Sequence, residues 1–538
     1  MSCSSDLSDQ AVREVGRAVP TGVPATASRR RFLLGAGAAG LLALLPSDIA
    51  TALRAAAQGA AGRETPVRFS ADWLVEEARR LATKPHRART AHLPAEFASL
   101  TYDQYRDIRF RAEASIWRDE NRRFRLDPMH GGSLFPTPVT VRLVEDGLAR
   151  TVRYAPDMYD YGPLVTPPAE GADIPFSGFR ARHPINNPDV WDEFVVFQGA
   201  SYFRAVGKGH LYGLSARGLA VGTADPEGEE FPAFTAFWIE RPEPEAPTLI
   251  VHALLESESC TGAYRFTIRP GDETVMDVET TLFARAAMER AGLAPLTSMF
   301  LFDASRRARI DDFRPAVHDS NGLEMWTGAG EHIWRPLANP TSLQISAFSD
   351  RSPLGFGLIQ RDREFADYQD LEARYEKRPS AWIEPVGDWG AGSVILVEIP
   401  SEQEIHDNIV AFWRPAAPIP AGEAFRVTYR IRWCDRPQFP SRLARVVATR
   451  SGPNLDRTAI QFVVDFETPM EFPEDIRVEV GNSGGSVHNA GVQPNPESGG
   501  SRARFELTPE GSDLVELRLV LKSGDKALSE TWLYRWTA

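Results

Sequence analysis

Two aspartates in similar short motifs are candidates for acid–base chemistry. Asp319 stands in "VHDSN" and Asp407 in "IHDNIV", each after a histidine and before a small polar residue. Hydrolysis of a glycosidic bond needs two carboxyl groups, one to protonate the leaving oxygen and one to activate water or attack directly. Asp370 in "YQDLEARY" and Asp388 in "GDWG" are alternatives. Turn formation explains each aspartate equally well, so the motifs alone leave the question open.

Aromatic residues that stand close to acids, amides and arginines suggest a sugar-binding surface. Aromatic faces cover the C–H faces of pyranose rings, while carboxylates, amides and arginine bind hydroxyl groups. The alternative is that these rings fill the core of a large β-sandwich, because large apolar side chains are usually buried. The predicted substrate-binding residues are His318, Trp326, Trp334, Arg335, Tyr368, Asp370, Trp382, Asp388, Trp389 and Trp413.

Composition excludes several other classes of function. The 538-residue chain has a net charge of −13 and no Lys/Arg block outside its first 60 residues, so nucleic acid is not a predicted partner. The sequence contains no C-x-x-C, H-E-x-x-H or Walker motif, so we predict neither a metal nor a nucleotide cofactor. Cys260 and Cys434 stand far apart and are expected to be free, buried thiols.

Residues 1–60 have the layout of a signal peptide. Arg29 and Arg30 precede "FLLGAGAAGLLALLP", and an Ala-rich zone follows. The arginine pair is typical of the twin-arginine route, and we predict export to the periplasm with cleavage within 55–62. A membrane anchor is the alternative, but the apolar run is shorter than the ~20 residues that span a bilayer.

The rest of the chain has the pattern of an all-β protein. Residues 69–83 predict one helix, capped by Ser70, and residues 100–110 a shorter one. In "TGAYRFTIRP" (261–270) apolar and polar residues alternate, as in a half-buried strand. Strands with almost no helix between them indicate an antiparallel β-sandwich. Similar strand-like runs occur at 234–240, 248–256, 273–285, 342–348, 355–360 and 393–399.

A Pro-rich break, "RPAAPIPAG" (414–422), predicts a domain boundary. Seven short strand-like runs follow it, which is the number in an immunoglobulin-like sandwich. We therefore predict a large domain over 66–415 and an immunoglobulin-like domain over 424–538. The Gly/Asn/Ser-rich segment 481–500 is predicted to be a long loop.

The chain resembles the osmoregulated periplasmic glucan biosynthesis family, the glucan G and D proteins. The resemblance covers roughly residues 66 to 536, and the twin-arginine leader is like that of the D branch. The motifs that carry it include "GASYFRAV" (199–206), "YGLSARGLA" (212–220), "HDSNGL" (318–323), "WRPLANP" (334–340), "GFGLIQRDREF" (355–365), "RPSAW" (378–382), "DNIVAFW" (407–413) and "SETWLY" (529–534).

The resemblance implies a large N-terminal sandwich, galactose mutarotase-like, and a smaller C-terminal immunoglobulin-like one. It implies action on β-1,2-linked glucan, because members of the family are inverting endo-β-1,2-glucanases that need no cofactor. The aspartate of the family's "HDS" motif falls on Asp319, as general base, and that of "DNIV" falls on Asp407, as general acid. The family commonly has Thr two residues before the second aspartate, where this chain has Ile405.

Two functions from different classes remain open at this point. The first is an endo-β-1,2-glucan hydrolase that sizes periplasmic glucan. The second is a non-catalytic glucan-binding or assembly factor that works with a membrane glucosyltransferase. A polysaccharide lyase is disfavoured, because neutral glucan has no uronate with an acidic α-proton. Whether the chain pairs with a second copy as a homodimer is also left open.

Overall fold

The structure is a computed structural model that describes residues 65–89, 93–132, 134–169, 171–307, 310–439, 441–467, 473 and 475–538. The predicted leader, with Arg29 and Arg30, lies outside the described residues. Among the described residues, no helix is both long enough and apolar enough to cross a membrane.

The described helices are short and lie near the beginning of the chain. Their bounds are α1 Ala71–Ala82, α2 Ala95–Ala98 and α3 Tyr102–Arg106. Ser70 caps α1 by accepting a hydrogen bond from the Trp73 backbone N–H at 3.1 Å, which confirms the predicted start of this helix. Short 3-10 helices span Ala112–Ala114, Pro156–Met158, Phe365–Asp367 and Tyr375–Lys377.

Strands are the predominant regular structure of the described chain. They are β1 Val67–Arg68, β2 Ile108–Phe110, β3 Arg125–His130, β4 Thr140–Glu145, β5 Leu148–Thr151, β6 Tyr159–Tyr161, β7 Phe176–His183, β8 Asp192–Gln198, β9 Tyr202–Ala205, β10 Ser215–Arg217, β11 Ala220–Val221, β12 Ala233–Glu240, β13 Leu249–Glu256, β14 Cys260–Arg269, β15 Thr274–Ala284, β16 Ala291–Ser298, β17 Phe300–Phe302, β18 Val317–His318, β19 Gly322–Trp326, β20 His332–Pro336, β21 Gln344–Arg351, β22 Gly355–Ile359, β23 Ser380–Val386, β24 Ala391–Glu398, β25 Ile409–Pro415, β26 Ala424–Cys434, β27 Val446–Pro453, β28 Ile460–Phe466, β29 Arg477–Asn482, β30 Ser486–Asn495, β31 Gly500–Thr508, β32 Leu514–Ser523, β33 Lys526–Ala527 and β34 Thr531–Thr537.

Two large sheets pack face to face around the main hydrophobic core, which confirms the predicted all-β sandwich. One sheet of ten described strands runs in the order β21-β24-β25-β16-β10-β9-β8-β7-β3, with β11 paired to β16. The other contains sixteen and passes through β12-β13-β14-β15-β26-β23-β22. The predicted alternation in β14 is real, because Tyr264, Phe266 and Ile268 all point into this core.

The structure corrects the predicted domain boundary. Strand β26 follows the Pro-rich break, yet it does not join the second sandwich. It pairs with β15 on one side and β23 on the other, in the middle of the sixteen-stranded sheet. Tyr429, Ile431 and Trp433 of β26 belong to the main core, whereas the C-terminal part of the chain enters the second core from Ala444 onward. The change of domain therefore falls after Cys434.

The C-terminal sandwich packs a four-stranded sheet, β27-β28-β31-β30, against β29, β32 and β34. The latter three extend the large sheet, since β34 pairs in parallel with β20 through Ile333–Thr531 and Trp334–Trp532. Residues 481–500 are not a long loop, because most of them form β30 and its hairpin with β31. Cys260 and Cys434 are buried and free.

Candidate functional site

Asp319 lies in a turn between β18 and β19 that is buried and held from several sides. Its backbone N–H donates to the Met299 carbonyl at 2.8 Å, and the next residue, Ser320, accepts a hydrogen bond from the Ser298 hydroxyl at 2.9 Å. The Asp319 side chain is ion-paired with Arg378, whose Nη1 donates to Oδ1. The "HDSN" segment is therefore a turn that presents a buried, paired carboxylate.

Arg378 is a site residue that the sequence reasoning did not identify, although it begins the "RPSAW" motif. It is buried, and its guanidinium lies 4.2 Å from the centre of the Tyr375 ring. A Cβ added at Gly213 would lie 2.8 Å from the Arg378 Cβ, so the backbone at Gly213 packs tightly against the aliphatic part of the Arg378 side chain. This packing fixes the guanidinium beside Asp319.

Asp407 lies immediately before β25, in backbone that its neighbour Asn408 anchors. The Asn408 side chain accepts from the Phe300 N–H at 2.8 Å and donates to the Phe300 and Ile399 carbonyls at 2.9 and 3.0 Å. Asp407 itself is buried, and its Oδ2 has no hydrogen-bond partner among the described residues. Arg204 Nη2 lies 3.8 Å from this oxygen.

These surroundings give Asp407 an unusual ionisation. Burial raises the pKa of its carboxyl to about 6, because the charged form loses its hydration. The positive charges of Arg204 and Arg378 act in the opposite direction, and the negative charge of Asp319 raises the pKa of Asp407 further. Each aspartate thus lies within electrostatic range of the other and has its own arginine.

Arg204 belongs to a polar row on the outer face of the ten-stranded sheet. Paired residues of adjacent strands share a face, so the pairings Tyr202–Arg217 and Ser215–Thr297 align these side chains, opposite to the core-facing Phe203. Arg204 Nε donates to Ser215 Oγ at 2.6 Å, which confirms the alignment. The signal in the sequence was the alternation in "SYFRAV", where Tyr202 and Arg204 flank the apolar Phe203.

This row contains polar atoms without partners. Tyr202 Oη and Thr297 Oγ1 are buried and lack a hydrogen bond among the described residues. Arg217 lies between the rings of Tyr202 and Phe231, 5.2 Å from each, and its Nη2 is 2.7 Å from Glu229. An unpaired buried polar group costs ~1–3 kcal/mol, so such groups commonly have a role beyond stability.

His318 and Tyr368 pack against each other beside the Asp319 turn. His318 is fully buried, its Nδ1 lies 2.9 Å from Gln360 Oε1, and burial lowers its pKa to about 4. Its ring stacks on Phe300 and meets Tyr368 edge-on. Both predicted binding residues therefore pack against protein groups.

Asp370 supports Arg378 indirectly. It caps its own turn by accepting from the N–H groups of Glu372 and Ala373 at 2.9 and 2.8 Å, and Arg314 donates to it at 3.0 Å. The Ala373 carbonyl in turn accepts from Arg378 Nε at 3.4 Å. Asp388 instead lies in an exposed turn, where its carboxylate caps the Gly390 N–H at 2.7 Å.

Most of the predicted aromatic platform lies in the hydrophobic cores. Trp413 is fully buried in the main core, and Trp389 packs against the same core 6.4 Å from it. Trp334 and Trp382 are buried in the second core, and Trp326 packs against that core. The structure does not bring these rings to the acid pair, because their strands direct them toward the other layer of each sandwich.

Arg335 is also removed from the site, since it forms a buried ion pair with Glu398 at 3.1 Å. The structure therefore brings together Asp319 and Asp407 with two arginines, Arg204 and Arg378. This arrangement can supply a proton from one carboxyl and accept one at the other.

Comparisons with known proteins identify relatives over most of the chain. The family model "Periplasmic glucan biosynthesis protein, MdoG" matches residues 69–536. The chain is 52% identical over 476 residues to "Glucans biosynthesis protein G" of Shewanella sp. (strain W3-18-1), with 87% of each chain covered. It is also 52% identical over 473 residues, again with 87% of each covered, to "Glucans biosynthesis protein G 1" of Shewanella oneidensis.

Among solved structures, a "Marsupial T cell receptor" chain aligns over 49% of this chain and 88% of its own, at 11% identity and a TM-score of 0.13, a likeness too low to support any inference. The relatives do not distinguish a G from a D branch. The extent of the family match, with the level of identity, places the protein in periplasmic glucan biosynthesis. The chain belongs to the MdoG family of periplasmic glucan biosynthesis proteins.

Proposed function

We propose that the protein is an inverting endo-β-1,2-glucan hydrolase, exported by the twin-arginine route. The observation that carries the proposal is the pair of buried aspartates with different surroundings. Burial raises the pKa of Asp407 to about 6, while Asp319 forms an ion pair with Arg378. Two carboxyls in contrasting environments are what an acid and a base in one site require.

In the proposed reaction Asp407 acts in its protonated form. It gives its proton to the glycosidic oxygen as the bond from that oxygen to the anomeric carbon breaks. A water molecule attacks the anomeric carbon from the opposite face, and Asp319 takes the proton released by the water, directly or through intervening hydroxyls. In inverting enzymes the two carboxyl groups lie about 6.5–9.5 Å apart, so a glucan complex should show that separation.

The test is reducing-sugar release from linear β-1,2-glucan by the mature chain. Positioned acid–base groups contribute typically ~10²–10⁴-fold, so Asp407→Asn and Asp319→Asn should each lose at least about 10²-fold in kcat. Asp525→Asn, in the exposed turn between β32 and β33, is the matched control and should keep the wild-type rate. NMR of the first product should show the inverted anomer.

The alternative function makes a different prediction. A non-catalytic glucan-binding factor, working with a membrane glucosyltransferase, would bind the glucan and release no reducing sugar. That result with the wild-type chain would favour the assembly role. Release at the wild-type rate by both Asn variants would refute the assignment of the acid pair.

A further inference from the structure

A cavity of about 300 Å³ lies between the two sandwiches, and Asn321, two residues after Asp319, forms part of its wall. The larger sandwich contributes Asp303, Asn321, Asp362 and Asp367 to its wall, and strand β27 closes it from the smaller sandwich. Its size is at the lower end of the range for ligand pockets, ~300–1,000 Å³. It can therefore take one small ligand or a single unit of a longer chain.

Asp362 is the unusual group in this wall. It is partly buried and accepts a hydrogen bond from the Asn321 side chain, and no cationic side chain forms an ion pair with it in the described part of the chain. The neighbouring guanidinium of Arg361 is already used by Glu324 and Glu530, at 2.8 and 2.6 Å. Burial, with Asp367 and Asp303 nearby, raises the pKa of Asp362 to about 7. A carboxyl kept here without a counter-ion reduces stability unless something binds it.

A donor without a partner points to the same cavity. Arg361 lines it with a side chain only 9% exposed, yet its Nε–H has no acceptor among the described residues. The cavity thus offers a donor, several acceptors and a carboxyl that can act as either. It also offers apolar contacts from Pro315, Pro336 and Val446.

This lining matches a neutral polyhydroxylated ligand better than an ion. The wall carries three aspartates and two arginines, Arg361 and Arg450, so it has no excess of positive charge that would favour an anion. Within the described residues no group of three acidic, His or Cys side chains is placed to hold a metal ion. Sugar hydroxyls both donate and accept, and the C–H faces of a pyranose ring contact apolar groups. We propose that the interdomain cavity is a second carbohydrate site that binds one glucosyl unit through Asp362 and Asn321. The choice of glucosyl unit rests on the proposed glucan substrate.

The site has a direct connection to the acid pair. Asn321 follows Asp319 by two residues in the same turn, and its side-chain oxygen accepts from the backbone N–H of Arg361 at 2.9 Å. A sugar bound to Asn321 would contact the segment that carries Asp319. The second site would therefore hold the glucan near the catalytic turn without taking part in the chemistry.

The experiment is isothermal titration of the full chain with β-1,2-linked glucobiose. We expect the wild type and the Asp525→Asn control to show two classes of site, and Asp362→Leu to show one. Asp362→Asn should keep both classes, with the second weakened several-fold, because an amide replaces only part of the hydrogen bonding. A net hydrogen bond is worth ~0.5–1.5 kcal/mol, or roughly 2- to 13-fold in affinity.

Thermal melts show whether Asp362→Leu folds, and if it does not, Asp362→Asn carries the test. Identical isotherms for the wild type and the folded Asp362 variants would overturn this inference and leave the hydrolase proposal intact. Asp362-dependent binding without any glucan hydrolysis would support the site while refuting the hydrolase. Absence of any sugar binding would overturn both.

Discussion

Replacing Arg204 by methionine should raise the pKa of Asp407. Arg204 Nη2 lies 3.8 Å from Asp407 Oδ2, and both side chains are buried. Two unit charges at about 4 Å interact by ~4 kcal/mol at an effective dielectric constant of ~20. Since one pKa unit corresponds to ~1.36 kcal/mol, the pKa of Asp407 can rise by at most roughly three pKa units. Water that enters the space left by the arginine will reduce this rise, so we expect the pKa of Asp407 to increase from about 6 to at least about 7.

The sign of the effect follows from the charge. The arginine favours the carboxylate, so its removal favours the protonated form, which is the form that a general acid needs. The alkaline limb of kcat/KM against pH should therefore move from near pH 6 to pH ~7 or above. The infrared band of the protonated carboxyl, taken as a difference from Asp407→Asn, measures the same pKa without relying on activity.

A matched control is available on the surface. Arg109 Nη2 also lies 3.8 Å from a carboxylate oxygen, that of Asp107, but the Arg109 side chain is 75% exposed. Arg109→Met should leave the pH profile unchanged. A limb that stays in place in Arg204→Met, or that moves to lower pH, would refute the proposed electrostatic control of Asp407.

Two predictions concern stability. The folded-state pKa of Asp407 is raised above its ordinary value of 3.8 to about 6, so its burial costs roughly 3 kcal/mol above pH 6 and nothing below about pH 4. Urea unfolding should show Asp407→Asn to be more stable than the wild type by up to that amount at pH 7.5, with the gain lost near pH 4. Glu324→Gln should lower the unfolding free energy by about 3 kcal/mol, because it removes the buried carboxylate that Arg361 and Arg445 share and that holds the pKa of Glu324 below its ordinary value. The exposed pair of Glu479 and Lys522 is the control, and Glu479→Gln should not change the urea midpoint.

Local pattern was sufficient for helix α1 and for strands with regular alternation, though not for β30, because the alternation and the cap depend on neighbours within one element. The alternation in β14 and the Ser70 cap are properties of about ten residues each. Strand β26 shows what local pattern cannot predict, which is the sheet that a strand joins. Its alternating burial would suit either sandwich, and only the pairings with β15 and β23 decide which sheet it joins.

The aromatic residues show the same limit in another form. A tryptophan next to a charged residue in sequence points to the opposite face of a strand, so adjacency in the chain predicts little about a shared surface. Trp413 accordingly lies in the main core, and Trp334 in the second core. Sequence reasoning could name the aromatics but could not decide which face of a sheet each would occupy.

The arginines of the site were missed for a physical reason that also bears on function. Arg378 and Asp319 are 59 residues apart, and no local pattern links them. Yet the two aspartates differ chiefly in the distance to their arginine. Arg378 is in direct contact with Asp319, whereas Arg204 lies 3.8 Å from Asp407. A contacting guanidinium supplies a hydrogen bond as well as charge, while a more distant one supplies charge alone. In the proposed reaction, the division of roles between acid and base would therefore depend on the placement of Arg204 and Arg378, which only the folded structure determines.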